Sequence, residues 1–184
     1  MNAPTRITPG GRIDESRERR PARIAVLTVS DTRTEANDTS GDLLASKVTG
    51  DGHTLVGRAI VPDSIESIRF QVRQWIEQDQ AQVIVTTGGT GLTGRDITPE
   101  ALEPLFAKRI DGFSVAFHLV SYQSVGTSTM QSRATAGVID GCLVFCLPGS
   151  NGAVKDGWSV IGPQLDTRHA PCNLIEIMPR LLER

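Results

Sequence analysis

Aromatic residues, histidine and cysteine are all scarce in this 184-residue chain, and each scarcity removes a class of function. Aromatics make up 4% of it, too few platforms for stacking nucleic-acid bases. An excess of positive charge is missing too. Nineteen Lys and Arg stand against 21 Asp and Glu, a net of −2, whereas nucleic-acid binding needs a concentrated basic face. His53, His118 and His169 are scattered, which leaves no histidine metal cluster and no Ser-His or Cys-His nucleophile pair. Cys142, Cys146 and Cys172 are an odd number without the spacing of a disulfide framework. The first two share one face of a strand, where packing explains them. No apolar run approaches the roughly 18 residues of a membrane helix. The Arg-rich start lacks the apolar stretch of a secretory signal, so a cytoplasmic protein with no membrane and no nucleic-acid partner is expected.

What is present suffices for one core: 39% of the residues are hydrophobic. Residues 1–21, with Pro4, Pro9, Gly10, Gly11 and a run of charges, read as a disordered Arg-rich leader, and residues 22–184 as a single domain. From Arg23 onward, short β-branched runs alternate with helical segments. Strands are predicted at 24–29, 54–61, 82–87 and 142–147. A helix capped by Thr39 or Ser40 runs to about Thr49, and another carries the apolar stripe Ile65, Ile68, Val72, Trp75, Ile76. Thr98 is placed as the N-cap of a helix with Pro99 in its first turn and a kink or restart at Pro104. Residues 112–139 read as mostly helical around a polar stretch, a helix follows Ser150 to about Ile161, and a last one covers 174–182. This alternation predicts an α/β fold: an open, mostly parallel sheet in a three-layer α/β/α arrangement. Ligands then belong outside the carboxyl ends of the strands.

The loop after the third strand contains Thr87, Gly88, Gly89, Thr90 and Gly91, followed by Gly94, Arg95 and Asp96. Gly89, Gly91 and Gly94 satisfy GxGxxG, but the helix starts only at Thr98 and no strand-end acid follows at the dinucleotide spacing. A nicotinamide oxidoreductase is therefore the weakest reading, and without Gly-Lys-Ser/Thr there is no Walker A loop. Such a dense run of glycine and threonine nonetheless offers amides and hydroxyls that cradle phosphate. Asp96 beside it suits either a divalent cation bridging to phosphate or a hydrogen bond to nearby backbone. Asp63, with Glu66 three residues on, suits either a helix cap or a second carboxylate at the same sheet edge. Ser30 and Asp31 after the first strand, Ser132 and Arg133, and the turn Pro148-Gly149-Ser150 at a helix N-terminus complete a phosphate-holding edge. No nucleophile is paired with a base, so group transfer by positioning and charge is the chemistry this edge supports.

Together these segments resemble a known family. Thr87-Gly88-Gly89-Thr90-Gly91, then Arg95-Asp96-x-Thr98-Pro99-Glu100, preceded by Pro62-Asp63 and followed by Leu147-Pro148-Gly149-Ser150, resemble the MogA/MoaB family of molybdenum cofactor biosynthesis. The opening Leu27–Arg33 segment, Gly126-Thr127-Ser128-Thr129, Gln164-Leu165-Asp166 and Pro171-Cys172-Asn173 are similar to its MoaB branch. The resemblance spans about residues 22–175. It implies a molybdopterin-binding α/β domain that assembles as trimers or hexamers and works beside other proteins of the pathway. Active members use Mg²⁺ and the co-substrate ATP to adenylylate the terminal phosphate of molybdopterin. Asp63 and Asp96 fall on the family's two functional aspartates, Asp96 with Mg²⁺, and the TGGTG loop and Ser150 would hold phosphate or pterin. Because the Arg-Asp and Thr-Pro-Glu pattern is intact here, resemblance favours an active molybdopterin adenylyltransferase; a non-catalytic molybdopterin carrier is the alternative.

Overall fold

A computed structural model describes residues 11–183. Its main sheet has six strands: β2 (Arg23–Val29), β3 (Thr54–Val61), β4 (Val83–Thr87), β5 (Lys108–Arg109), β6 (Thr135–Ile139) and β7 (Cys142–Leu147). They lie in the order β3-β2-β4-β7-β6-β5; the first four are mutually parallel, and β6 and β5 are antiparallel additions at one edge. The strand residues sort alternately to the two faces. Ile24, Val26, Val83, Val85, Leu143 and Phe145 pack beneath α1 (Thr39–Gly50), α4 (Asp111–Val125) and α5 (Asn151–Gln164). Ala25, Leu27, Ile84, Val144, Cys142 and Cys146 pack against α2 (Ile65–Glu77) and α3 (Thr98–Leu102) on the other face. The three-layer α/β/α fold is thus present. Burial pushes the Cys142 and Cys146 thiols up to about 12, which leaves them inert packing groups. Among the described residues, no helix is long and apolar enough to cross a membrane.

Four local expectations need correction. Residues 135–139 form a strand, not helix: Asp140 and Gly141, at φ 46° and 82°, make a two-residue turn that pairs Ile139 with Cys142. An Asp-Gly pair between apolar runs is a hairpin signal, and it outweighs the helical reading of the preceding stretch. Asp38 caps α1, accepting from the Gly41 amide at 3.0 Å, in place of Thr39 or Ser40. Thr98 does not cap α3; its hydroxyl donates to the Gly88 carbonyl at 2.9 Å. The chain past Leu174 is one α-turn, α6 (Leu174–Ile177), and a 3₁₀ turn at Met178–Arg180, since Pro179 supplies no amide to continue the helix. The expected interruption at Pro104 is present as a 3₁₀ turn over Glu103–Leu105.

The expected leader also differs. Residues 1–10 lie outside the described residues, but 11–21 pack on the domain. β1 (Arg12–Ile13) pairs antiparallel with β8 (His169–Ala170), and the Asp14 amide donates to the Arg168 carbonyl at 2.8 Å. Arg17 pairs with Glu176 at 2.7 Å, and the Thr167 hydroxyl donates to the Glu18 carbonyl at 2.7 Å. The charges are of mixed sign and find partners near residues 166–176, which local composition does not reveal. Deletion of residues 1–20 is therefore expected to lower the melting temperature by about 5 °C; an unchanged melt would restore the leader to a free tail.

Candidate active site

The loops following β2, β3, β4 and β7 meet the 3₁₀ segment Gly126–Gln131 around one cleft of about 690 Å³. It collects Ser30, Asp31, Asp63, Thr87 to Gly91, Arg95 and Asp96, together with Ser132, Pro148, Gly149 and Ser150. Of the expected site residues, Arg133 alone is not in the lining. Its side chain turns behind the loop, where Nε donates to the Gly91 carbonyl at 2.8 Å and Nη2 to the Asp96 carbonyl at 2.7 Å, and it pairs with Glu100. A guanidinium with those partners holds the loop and is not a free cation for substrate, which corrects the reading of Arg133 as a phosphate contact.

The glycine loop has its shape for steric reasons. Gly88 and Gly89 sit at φ 106° and 65°, and a Cβ on Gly88 would lie 2.2 Å from the Val29 carbonyl oxygen. The loop is tied down by Thr98, whose amide donates to the Gly89 carbonyl, and by the Gly88 amide donating to Leu147, both at 2.9 Å. Thr87 donates to the Pro148 carbonyl at 3.1 Å, joining this loop to the start of α5. Ser150 caps α5, its Oγ accepting from the Ala153 amide at 3.1 Å. The buried hydroxyls of Thr90 and Thr129, by contrast, make no hydrogen bond with any protein group.

The carboxylates separate the open alternatives. Ser64, not Asp63, caps α2, with Oγ accepting from Ser67 at 3.3 Å. Asp63 instead accepts from the Asp31 amide at 3.1 Å while its own amide donates to Asp31 Oδ1 at 3.1 Å; Arg95 pairs with Asp31. A Cβ on Gly89 would stand 3.3 Å from Asp63 Oδ1, so this carboxylate lies against the glycine loop. Partial burial, reinforced by the charge of Asp96, raises the Asp63 pKa above its ordinary value. Asp96 Oδ2 accepts from the Thr93 amide at 2.9 Å and its hydroxyl at 2.6 Å. Burial pushes the Asp96 carboxyl up, but those bonds, the Gly91 amide and the Arg133 charge prevail and lower it. Among the described residues, no three His, Cys, Asp or Glu side chains cluster as a metal site. Two mutually repelling carboxylates beside a phosphate cradle nevertheless fit one divalent cation completed by ligand oxygens.

Sequence reasoning missed the helix-borne part of the cleft. Ser121 and Phe117 of α4 and Asp156 of α5 line it. The signal for Asp156 was available: it follows Gly152 and Ala153 at helical spacing, below the Ser150 cap.

A family model described as a probable molybdopterin binding domain matches residues 25–167. The chain belongs to that family. Within the molybdopterin-binding-domain family, it is 49% identical over 154 residues to molybdenum cofactor biosynthesis protein B of Escherichia coli (strain K12), covering 83% of this chain and 91% of that protein. The protein of the same name from Bacillus subtilis (strain 168) is 40% identical over 146 residues, 78% of this chain and 86% of its own length. Among solved structures, a tungsten cofactor synthesizing protein MoaB from Pyrococcus furiosus aligns with a TM-score of 0.72 at 39% identity, over 79% of this chain and 92% of that one. The α/β fold and the molybdenum cofactor biosynthesis family thus agree with the resemblance drawn from the motifs.

Proposed function

We propose that this protein binds molybdopterin and uses Mg-ATP to adenylylate its terminal phosphate during molybdenum cofactor biosynthesis. The observation that carries the reading is the convergence of Asp63 and Asp96 on the cleft that holds the glycine loop. In the reaction, a pterin phosphate oxygen attacks the α-phosphorus of ATP, the bond to the β-phosphate breaks, and pyrophosphate leaves. The residues act by position and charge. The backbone amides of Gly89 and Thr90 and the unpartnered Thr90 hydroxyl bind phosphate oxygens, and Arg95 stands at the rim. Asp63 and Asp96 would hold Mg²⁺, which supplies charge neutralisation at the phosphates when bound. The second reading, a carrier that binds molybdopterin without turnover, draws on Thr93, which already occupies Asp96 Oδ2 twice. A homo-oligomer, trimer or hexamer, belongs to the same proposal: Val115, Leu119 and Tyr122 form an exposed apolar row on α4.

Purified protein incubated with molybdopterin, ATP and Mg²⁺ is expected to yield adenylylated pterin and pyrophosphate in equal amounts, resolved by chromatography. Tight pterin binding without product would select the carrier. Failure to bind molybdopterin at all would overturn both.

A further inference from the structure

The cleft has two chemically different ends. One is the glycine loop. The other is an arm between α4 and α5, which pack together. Along α5, Gly152, Ala153 and Asp156 face the cleft, and Phe117, Ser121 and Val125 line it from α4 at intervals of four residues. Six residues at the helical rise put Asp156 about 9 Å along the axis from Ser150.

Asp156 is 9% exposed, and among the described residues its one side-chain hydrogen bond is from the Ser124 hydroxyl to Oδ1 at 3.0 Å. Among the described residues, no Arg, Lys or His pairs with it, although most buried or half-buried carboxylates of this chain have a cationic or amide partner. A carboxylate has about four acceptor positions, and one hydrogen bond leaves the others open to a ligand. In the same cleft lining, the Thr129 hydroxyl also makes no protein hydrogen bond. Asp156 thus keeps acceptor positions open in the wall of the cleft.

The chemistry of that ligand follows from the acceptor. A carboxylate only accepts, so the matching edge is a pair of adjacent N–H donors. The 2-amino-4-oxo edge of a pterin ring presents that pair, its ring N3–H beside the 2-amino group. Adenine sets an amino donor beside a ring nitrogen acceptor, whose lone pair a carboxylate repels. We infer that Asp156 is the residue that selects the pterin ring, accepting from its N3–H and 2-amino groups and so directing the phosphate-bearing end toward the glycine loop. This rests on the molybdopterin reading above and adds the residue that recognises the ring and the direction in which it lies.

The test is a fluorescence titration of the full chain with molybdopterin, with 6-hydroxymethylpterin monophosphate and with the corresponding lumazine, in which an oxygen replaces the 2-amino group. Wild type is expected to prefer the pterin over the lumazine by at least about tenfold. Asp156→Asn, whose amide offers one donor and one acceptor, is expected to bind the pterin at least about tenfold more weakly and to erase or reverse that preference, with ATP affinity unchanged. A folded Asp156→Asn with unchanged pterin affinity, or with an equal loss for ATP, overturns the assignment. If that variant does not fold, Ser124→Ala carries the test, because it withdraws only the bond orienting Asp156; unchanged pterin-to-lumazine preference there overturns it too. Molybdopterin binding by wild type separates the two failures: without it the functional reading falls and takes this inference along, whereas with it only the role of Asp156 is at stake.

Discussion

Asp63→Asn and Asp96→Asn are each expected to cut adenylylation of molybdopterin by roughly a thousandfold, yet to move stability in opposite directions. Both remove a charge that the proposed reaction needs at the phosphates. Their native environments differ. The Asp63 pKa is raised by burial and by the Asp96 charge, so whatever stability Asp63 adds is fully present below its unfolded value and is lost as pH rises through its folded value. At neutral pH its charge opposes folding, and Asn relieves that. The Asp96 pKa is lowered, since the Thr93 and Gly91 hydrogen bonds and Arg133 overcome its burial. Its contribution is present above the unfolded value and is lost as pH falls through the folded one. Asp63→Asn should therefore melt at or above wild type at pH 7, and Asp96→Asn below it, with both differences shrinking towards pH 3. Added Mg²⁺ should raise the melting temperature of wild type and leave both variants unmoved. Retained turnover in either variant would remove that carboxylate from the mechanism, and a lowered melt for Asp63→Asn at pH 7 would contradict the repulsion between the pair.

Those two aspartates also mark how far local sequence carries. Three of the four parallel strands, β2, β4 and β7, were legible because a strand covered on both faces must be an apolar run, as Ile24–Val29 and Cys142–Leu147 are. The position of the cleft followed from that topology, and the loop of Gly88 and Gly89 declared itself because only glycine takes those φ values next to Val29. What stayed hidden depends on partners distant in sequence. Asp63 satisfies a cap pattern on paper; its actual partner, Asp31, is 32 residues away, and Ser64 takes the cap. Thr98 has the composition of a cap but spends its hydroxyl on Gly88, on the other side of the loop. Arg12 to Arg20 look like a solvated charge run until residues 166–176 are folded beneath them. In each case the residue type was informative about polarity and uninformative about which of several polar partners would win.

Arg133 is where that ambiguity has the largest measurable consequence. Placed near a phosphate cradle, an arginine reads as an anion contact, yet here its fork closes the back of the loop. Nε and Nη2 satisfy the Gly91 and Asp96 carbonyls, Nη1 meets Glu100, and its own amide donates to Thr90 at 2.9 Å. Arg133→Ala strands two carbonyls and a carboxylate whose pKa Arg133 lowers, Glu100. Charge-assisted hydrogen bonds of this kind contribute about 1.5–3 kcal/mol each when shielded. Because Arg133 is about one-third exposed, 32% by side chain, the loss is expected nearer 2 kcal/mol in all, a fall in melting temperature of about 4–8 °C. Arg133→Lys decides between the two roles. A point charge can replace an arginine that neutralises phosphate, but it cannot reach two carbonyls and a carboxylate in one plane. Lysine should therefore rescue little of the stability and none of the order in the Gly91–Asp96 loop, with hydrogen exchange at the Thr93 amide rising in both variants. Full rescue of ATP and molybdopterin affinity by lysine, with the melt unchanged in both variants, would return Arg133 to the substrate.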